Sequence, residues 1–115
     1  MSVAAIDVAT YRQLQDSAGS DFVDELVDTF LEEAPIMIGG IRQAHAKRDA
    51  EAFRRQAHSL KSNCNTFGAL ALAAQAREIE LSGIDSYPVG DTRAIEELER
   101  SFKAVVVALA ELRNE

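Results

Sequence analysis

The chain has 115 residues, enough for one domain and too few for the two-domain clefts of most nucleotide-driven enzymes. Hydrophobic residues make up 47% and charged residues 27%, a globular balance that excludes disorder as a description of the whole. Twelve Lys and Arg against nineteen Asp and Glu leave a net charge of -7, which repels nucleic acid and anionic bilayers, so any partner must be met locally.

Residues 1–115 read as a single all-α domain, because Ala, Leu, Glu, Arg and Gln dominate and only two prolines and six glycines interrupt them. Thr10 to Gln15 predicts a short opening helix, broken by Ser17 to Ser20 around Gly19. Ser20 or Asp21 is placed to cap a second helix with Val23, Leu26, Val27 and Phe30 on its apolar side. Pro35 either kinks this helix or starts another; a kinked continuation fits better, since Ile38, Ile41 and His45 extend the same side, and Lys47 and Arg48 suit a C-terminus. His45 matches no motif and is assigned no chemistry.

Asp49 caps the next helix, which runs to about Thr66 and ends at Gly68. Leu70 to Leu81 predicts a further helix with Leu72, Ala76 and Ile79 inward, followed by a connecting loop over Ser82 to Gly90. Asp91 or Thr92 caps the last helix, where Ile95, Leu98, Phe102, Val105, Leu109 and Leu112 alternate spacings of three and four. No segment carries the period-two alternation of a strand. The expected architecture is an up-and-down antiparallel four-helix bundle with a short N-terminal accessory helix, as a monomer.

The longest apolar run, Ala104 to Ala110, is far short of the roughly 20 residues of a membrane span, and the first residues lack a basic start followed by an apolar stretch. A lone cysteine, Cys64, makes no internal disulfide and fits a reducing compartment. A cytoplasmic protein with no membrane insertion is expected.

One helix carries more than packing. Phe53, Ala57, Leu60, Cys64 and Phe67 fall within about 80° of one another at 3.6 residues per turn and form its core stripe. Around the helix from that stripe, Lys61 lies near 80°, Arg54 near 100°, Asn65 near 120°, His58 near 140° and Ser62 near 180°, at roughly 100° per residue. His58 thus faces solvent among two cations and small polar groups, with Glu51 as the one acid near it on that side. A neutral imidazole has one ring nitrogen free to attack an electrophile, and flanking cations stabilise an attached phosphoryl group. A polar residue on a solvated face would look the same by spacing alone. Cys64 lies roughly 240° around the helix from His58, so the two cannot share a metal ion.

Ala57, His58, Ser59, Leu60 and Lys61, then Phe67, Gly68 and Ala69, resemble the signature of histidine-containing phosphotransfer (HPt) domains: His-x-Leu-Lys, with a bulky apolar residue and a glycine further along the helix. The resemblance extends over nearly the whole chain. It implies a phosphocarrier of two-component signal transduction, with His58 as phosphoacceptor on its outer ring nitrogen. Lys61 would neutralise the phosphoryl charge and Gly68 would fix the turn; Arg54, Ser62 and Asn65 are expected to support the site from their helical spacing to His58 alone. Partners would be a response-regulator receiver domain and a hybrid sensor histidine kinase. No cofactor is expected in this chain, magnesium being expected in the receiver, and no autonomous kinase activity, since no phosphate loop or kinase motif is present.

Two positions depart from that pattern. Many members carry glycine where this chain has Ser62, and some place a glutamine on the facing helix where this chain has Glu80. A carboxylate there would accept the inner ring N–H and leave the outer nitrogen free. The alternative function is a phosphorylation-independent protein-binding module of the same fold.

Overall fold

The computed structural model describes residues 5–113, and among them every regular element is helical. Helix α1 spans Val8–Ala18, α2 Ser20–Lys47, α3 Ala50–Phe67, α4 Leu70–Ser82 and α5 Arg93–Arg113, with a 3-10 turn at Ile84–Ser86. None is long and apolar enough to cross a membrane. Helix α3 packs against α2 and α4, and α5 closes the arrangement by packing against the same two helices.

The predicted stripes become the core. Val23, Val27, Phe30, Ile38 and Ile41 of α2 are buried with the five stripe residues of α3, with Leu72, Ala76 and Ile79 of α4, and with Ile95, Leu98, Val105, Leu109 and Leu112 of α5. Burying each large apolar side chain contributes about 1.5–3 kcal/mol, which outweighs the weak preferences of single helical residues. Phe30 joins two of the helices to its own, with ring centroids 5.2 Å from Phe67 and 6.1 Å from Phe102. Leu26 and Phe102 are only partly buried, at the margins of the core.

Helix boundaries follow local chemistry, with some departures from expectation. Helix α1 is longer than Thr10–Gln15, because Tyr11 is fully buried and anchors a segment whose polar outer face hid it from a periodicity reading. Neither Ser20 nor Asp21 caps α2: Gly19 is the N-cap, without a side-chain bond, and both predicted caps lie inside the helix. The helix continues through Pro35, which removes one backbone donor but does not end it. Asp49 does cap α3, its side chain accepting from the Ala52 N–H at 3.1 Å. At α5, the Asp91 carboxylate accepts from the Arg93 N–H at 3.3 Å, and the Arg93 side chain holds that carboxyl down at about 2.

His45 is buried, the one polar side chain so placed among the described residues. Its Nε2 lies 2.9 Å from the Tyr87 carbonyl oxygen and 3.0 Å from that of Pro88, so this nitrogen carries the proton and donates. Arg48, in left-handed conformation at the end of α2, donates to the Tyr87 and Ile84 carbonyls at 2.9 and 3.2 Å. His45 of α2 and its C-cap Arg48 therefore hold the loop that leads out of α4.

Gly68 ends α3 at φ +80°, in the left-handed region. Its carbonyl accepts the Asp7 N–H at 2.8 Å, so the segment leading into α1 lies directly on the turn. A Cβ here would stand 2.9 Å from the Asp7 carbonyl oxygen and 2.9 Å from Thr10 Cβ. Both the backbone conformation and the close approach require glycine. Gly68→Ala is expected to lower stability by about 2–3 kcal/mol from left-handed strain plus steric displacement. Urea unfolding measures this as a lower midpoint at similar slope, and an unchanged midpoint would contradict the account.

Candidate functional site

The site is built on the α3–α4 hairpin. His58 and Glu80 stand eleven residues before and after Ala69, so the tight turn at Gly68 brings them to the same level of two antiparallel helices. His58 Nδ1 lies 2.7 Å from Glu80 Oε2, and Lys61 Nζ donates to Glu80 Oε1 at 2.8 Å. One carboxylate thus engages both motif residues.

Exposure differs among the three. The His58 side chain is 53% exposed, whereas those of Glu80 and Lys61 are 12% and 22% exposed. The imidazole projects from the surface and its two partners sit behind it. The Lys61 hydrogen bond, assisted by that of His58 and opposed by burial, holds the Glu80 carboxyl below the usual carboxylate range. Glu80 is therefore an anion near neutral pH and can only accept, which places the His58 proton on Nδ1. The lone pair is left on Nε2, the ring nitrogen not committed to Glu80.

The remaining predicted residues make no hydrogen bond to this centre among the described residues. Arg54 is exposed, makes no hydrogen bond or ion pair among the described residues, and borders an open hollow with Glu51, Glu80 and Asp85. Ser62 and Asn65 are exposed, with side chains unpartnered among the described residues. Gly68 lies at the buried turn and contributes geometry rather than a functional group. Glu51, expected near His58, is directed instead to Arg55, at 3.8 Å.

The Lys61–Glu80 bond was not anticipated from the helix face alone, where Lys61 reads as a free cation. Its signal is the pairing of positions equidistant from the turn, which puts Glu80 within reach of residues 58 and 61 together. Cys64 is fully buried, and desolvation pushes its thiol up to about 12, so it is core and not a nucleophile. Among the described residues no group of three His, Cys, Asp or Glu side chains is arranged to hold a metal ion.

Comparison with known proteins agrees with this geometry. Residues 25–114 match the family model described as Hpt domain. Among solved structures, the chain is similar to histidine-containing phosphotransfer protein B (HptB) from Pseudomonas aeruginosa PAO1, with 28% sequence identity and a TM-score of 0.84 over 98% of this chain and 97% of that one. No curated protein sequence matches.

The Glu80 bond should set the His58 tautomer. Nitrogen-15 NMR of the imidazole is expected to show the proton on Nδ1 in the wild type and a shift toward the Nε2–H form in Glu80→Ala. Identical tautomer populations in the two proteins would remove the assigned contact.

Proposed function

The chain belongs to the Hpt domain family, the histidine phosphotransfer modules of phosphorelays, and from that premise we propose that it is a phosphocarrier exchanging a phosphoryl group between His58 Nε2 and receiver-domain aspartates. The observation that carries this reading is the exposed imidazole whose inner nitrogen is committed to Glu80. In the acceptor direction the Nε2 lone pair attacks the phosphorus of a receiver aspartyl phosphate. The bond from phosphorus to the acyl oxygen breaks, and its electron pair leaves with the aspartate carboxylate. His58 keeps its Nδ1 proton, so the phosphorylated ring is cationic, and Glu80 compensates that charge. Transfer to a second receiver reverses the step with neutral imidazole as the leaving group.

Lys61 has two roles in this scheme. It keeps Glu80 ionised, and its ammonium supplies positive charge close behind the ring, against which the phosphoryl dianion is set. Arg54, one turn earlier and unpaired, adds a second cation, and Asn65 a neutral polar edge. Magnesium is assigned to the receiver. The donor is a hybrid sensor histidine kinase acting through its receiver, the protein works in the cytoplasm as a monomer, and the chain has no kinase activity of its own. We read α2 to α5 as an up-and-down four-helix bundle with α1 as its accessory helix.

Incubation with a phosphorylated receiver tests this directly. Acid-labile, base-stable phosphate is expected on the wild type and none on His58→Ala; transfer that survives this substitution would remove His58 as the phosphoacceptor, and absence of phosphate from the wild type would defeat the proposal in favour of a phosphorylation-independent binding module. For Lys61→Ala we expect a folded protein with transfer slowed by about 10-fold, in the range that one charge-assisted contact contributes. Stopped-flow or rapid-quench transfer rates equal to wild type would remove Lys61 from the mechanism.

A further inference from the structure

The orientation of the His58 ring decides which neighbours an attached phosphoryl group meets. Nδ1 is held against Glu80 of α4 at 2.7 Å. The two nitrogen axes of an imidazole diverge by well over a right angle, so Nε2 points outward and away from α4. Lys61 and Arg54 lie on the α4 flank of His58, whereas Ser62 and then Arg55 lie on the opposite flank, at roughly 100° per residue.

On that opposite flank the nearest group is a hydroxyl. Ser62 stands one turn after His58, and helical side chains lean toward the N-terminus, so its Oγ leans back toward the level of the ring. Cβ atoms at this spacing are about 5–6 Å apart, close enough for a hydroxyl to reach an oxygen of a group on Nε2. The hydroxyl is also uncommitted. Thr66 on the same helix bonds back to the Ser62 carbonyl at 3.2 Å, as hydroxyls in helices commonly do, but Ser62 Oγ makes no such bond. Of the nearby cations, Lys61 is on Glu80 at 2.8 Å, Arg55 on the Ser62 flank is directed toward Glu51 at 3.8 Å, and Arg54 lies on the other flank, toward α4.

We propose that the Ser62 hydroxyl is a ligand of the phosphoryl group on His58 Nε2, donating a hydrogen bond to one of its oxygens and thereby prolonging the life of the phosphohistidine. This rests on His58 being the phosphoacceptor and assigns to Ser62 a contact that a glycine at the same position could not make.

Phosphoramidate provides a partner-independent test. The Nε2 lone pair attacks its phosphorus, the phosphorus–nitrogen bond breaks, and the nitrogen departs as ammonia, leaving phosphohistidine on the whole chain. Wild type, Ser62→Ala and Ser62→Thr are loaded in this way and followed by phosphorus-31 NMR. Alanine is a better helix former than serine, so the first variant retains its fold. The phosphohistidine half-life is expected to fall about 3- to 10-fold in Ser62→Ala, the lower range for a charge-assisted bond open to solvent, with a changed phosphorus chemical shift. Both should return toward wild type in Ser62→Thr, which restores the hydroxyl. Equal half-lives in wild type and Ser62→Ala overturn the Ser62 assignment and leave the phosphocarrier reading standing. Absence of phosphohistidine from all three proteins overturns both.

Discussion

The site depends on one carboxylate that accepts two hydrogen bonds. Glu80 takes the His58 Nδ1–H on one oxygen and the Lys61 ammonium on the other, at 2.7 and 2.8 Å. A carboxylate has no donor of its own, so both oxygens accept without conflict. The glutamine that some relatives place at this point could accept from the imidazole, but its amide group would then present donors to the Lys61 ammonium. In this chain the choice of acid and the inward position of the motif lysine are therefore linked. Lys61 keeps the carboxyl ionised, the ionised carboxyl fixes the ring, and the fixed ring directs its lone pair outward.

That chain of dependence needs α3 and α4 held in register, and the constraints on register lie at both ends of the hairpin. At one end Gly68 turns the chain and receives the Asp7 N–H, so the N-terminal segment is seated on the turn. At the other end α4 stops at Ser82, two residues beyond Glu80, and runs into a loop whose Ile84, Tyr87 and Pro88 carbonyls accept from Arg48 and His45 of α2. Rings reinforce the same junction, with Phe53 5.7 Å from Tyr87 and 6.2 Å from His45. Helix α2 thus supports the α3–α4 hairpin through its far end as well as by packing along α3.

The sequence shows most of this fold because the signals are local. The stripes of α2, α3 and α5 repeat at helical spacing, Asp49 and Gly68 are strong boundary residues, and the His58 face is set by counting around α3. What it hides is what depends on a second element. Tyr11 looks like one aromatic in a polar stretch until the bundle covers it, so the first helix is read too short. His45 offers nothing by itself, since its two carbonyl partners lie more than forty residues away. Lys61 reads as a free cation on its own helix and becomes half of an ion pair only when α4 is folded back. Ser20 and Asp21 fail as caps for a different reason: Gly19, at φ +90°, breaks the chain one residue earlier, so α2 begins at Ser20 itself.

Charge is distributed unevenly over the molecule, and the unevenness bears on how a partner is met. The first half of α2 carries Asp21, Asp24, Glu25, Asp28, Glu32 and Glu33 with no cation among them, and Asp24 and Asp28 are drawn to Arg113, at 3.5 and 2.7 Å. Helix α3 reverses the balance, with Arg54, Arg55 and Lys61 against Glu51 alone. A net charge of -7 opposes the approach of an acidic partner at long range, but this opposition fades beyond a Debye length of about 8 Å at physiological salt. Within that distance the partner meets the cationic helix and a half-exposed imidazole. Steering over long distances is weak in such an arrangement, and discrimination falls to the short-range fit around His58. If the chain shuttles between receivers as proposed, that balance serves it, because an attraction confined to the site does not hold the departing protein once the phosphoryl group has moved.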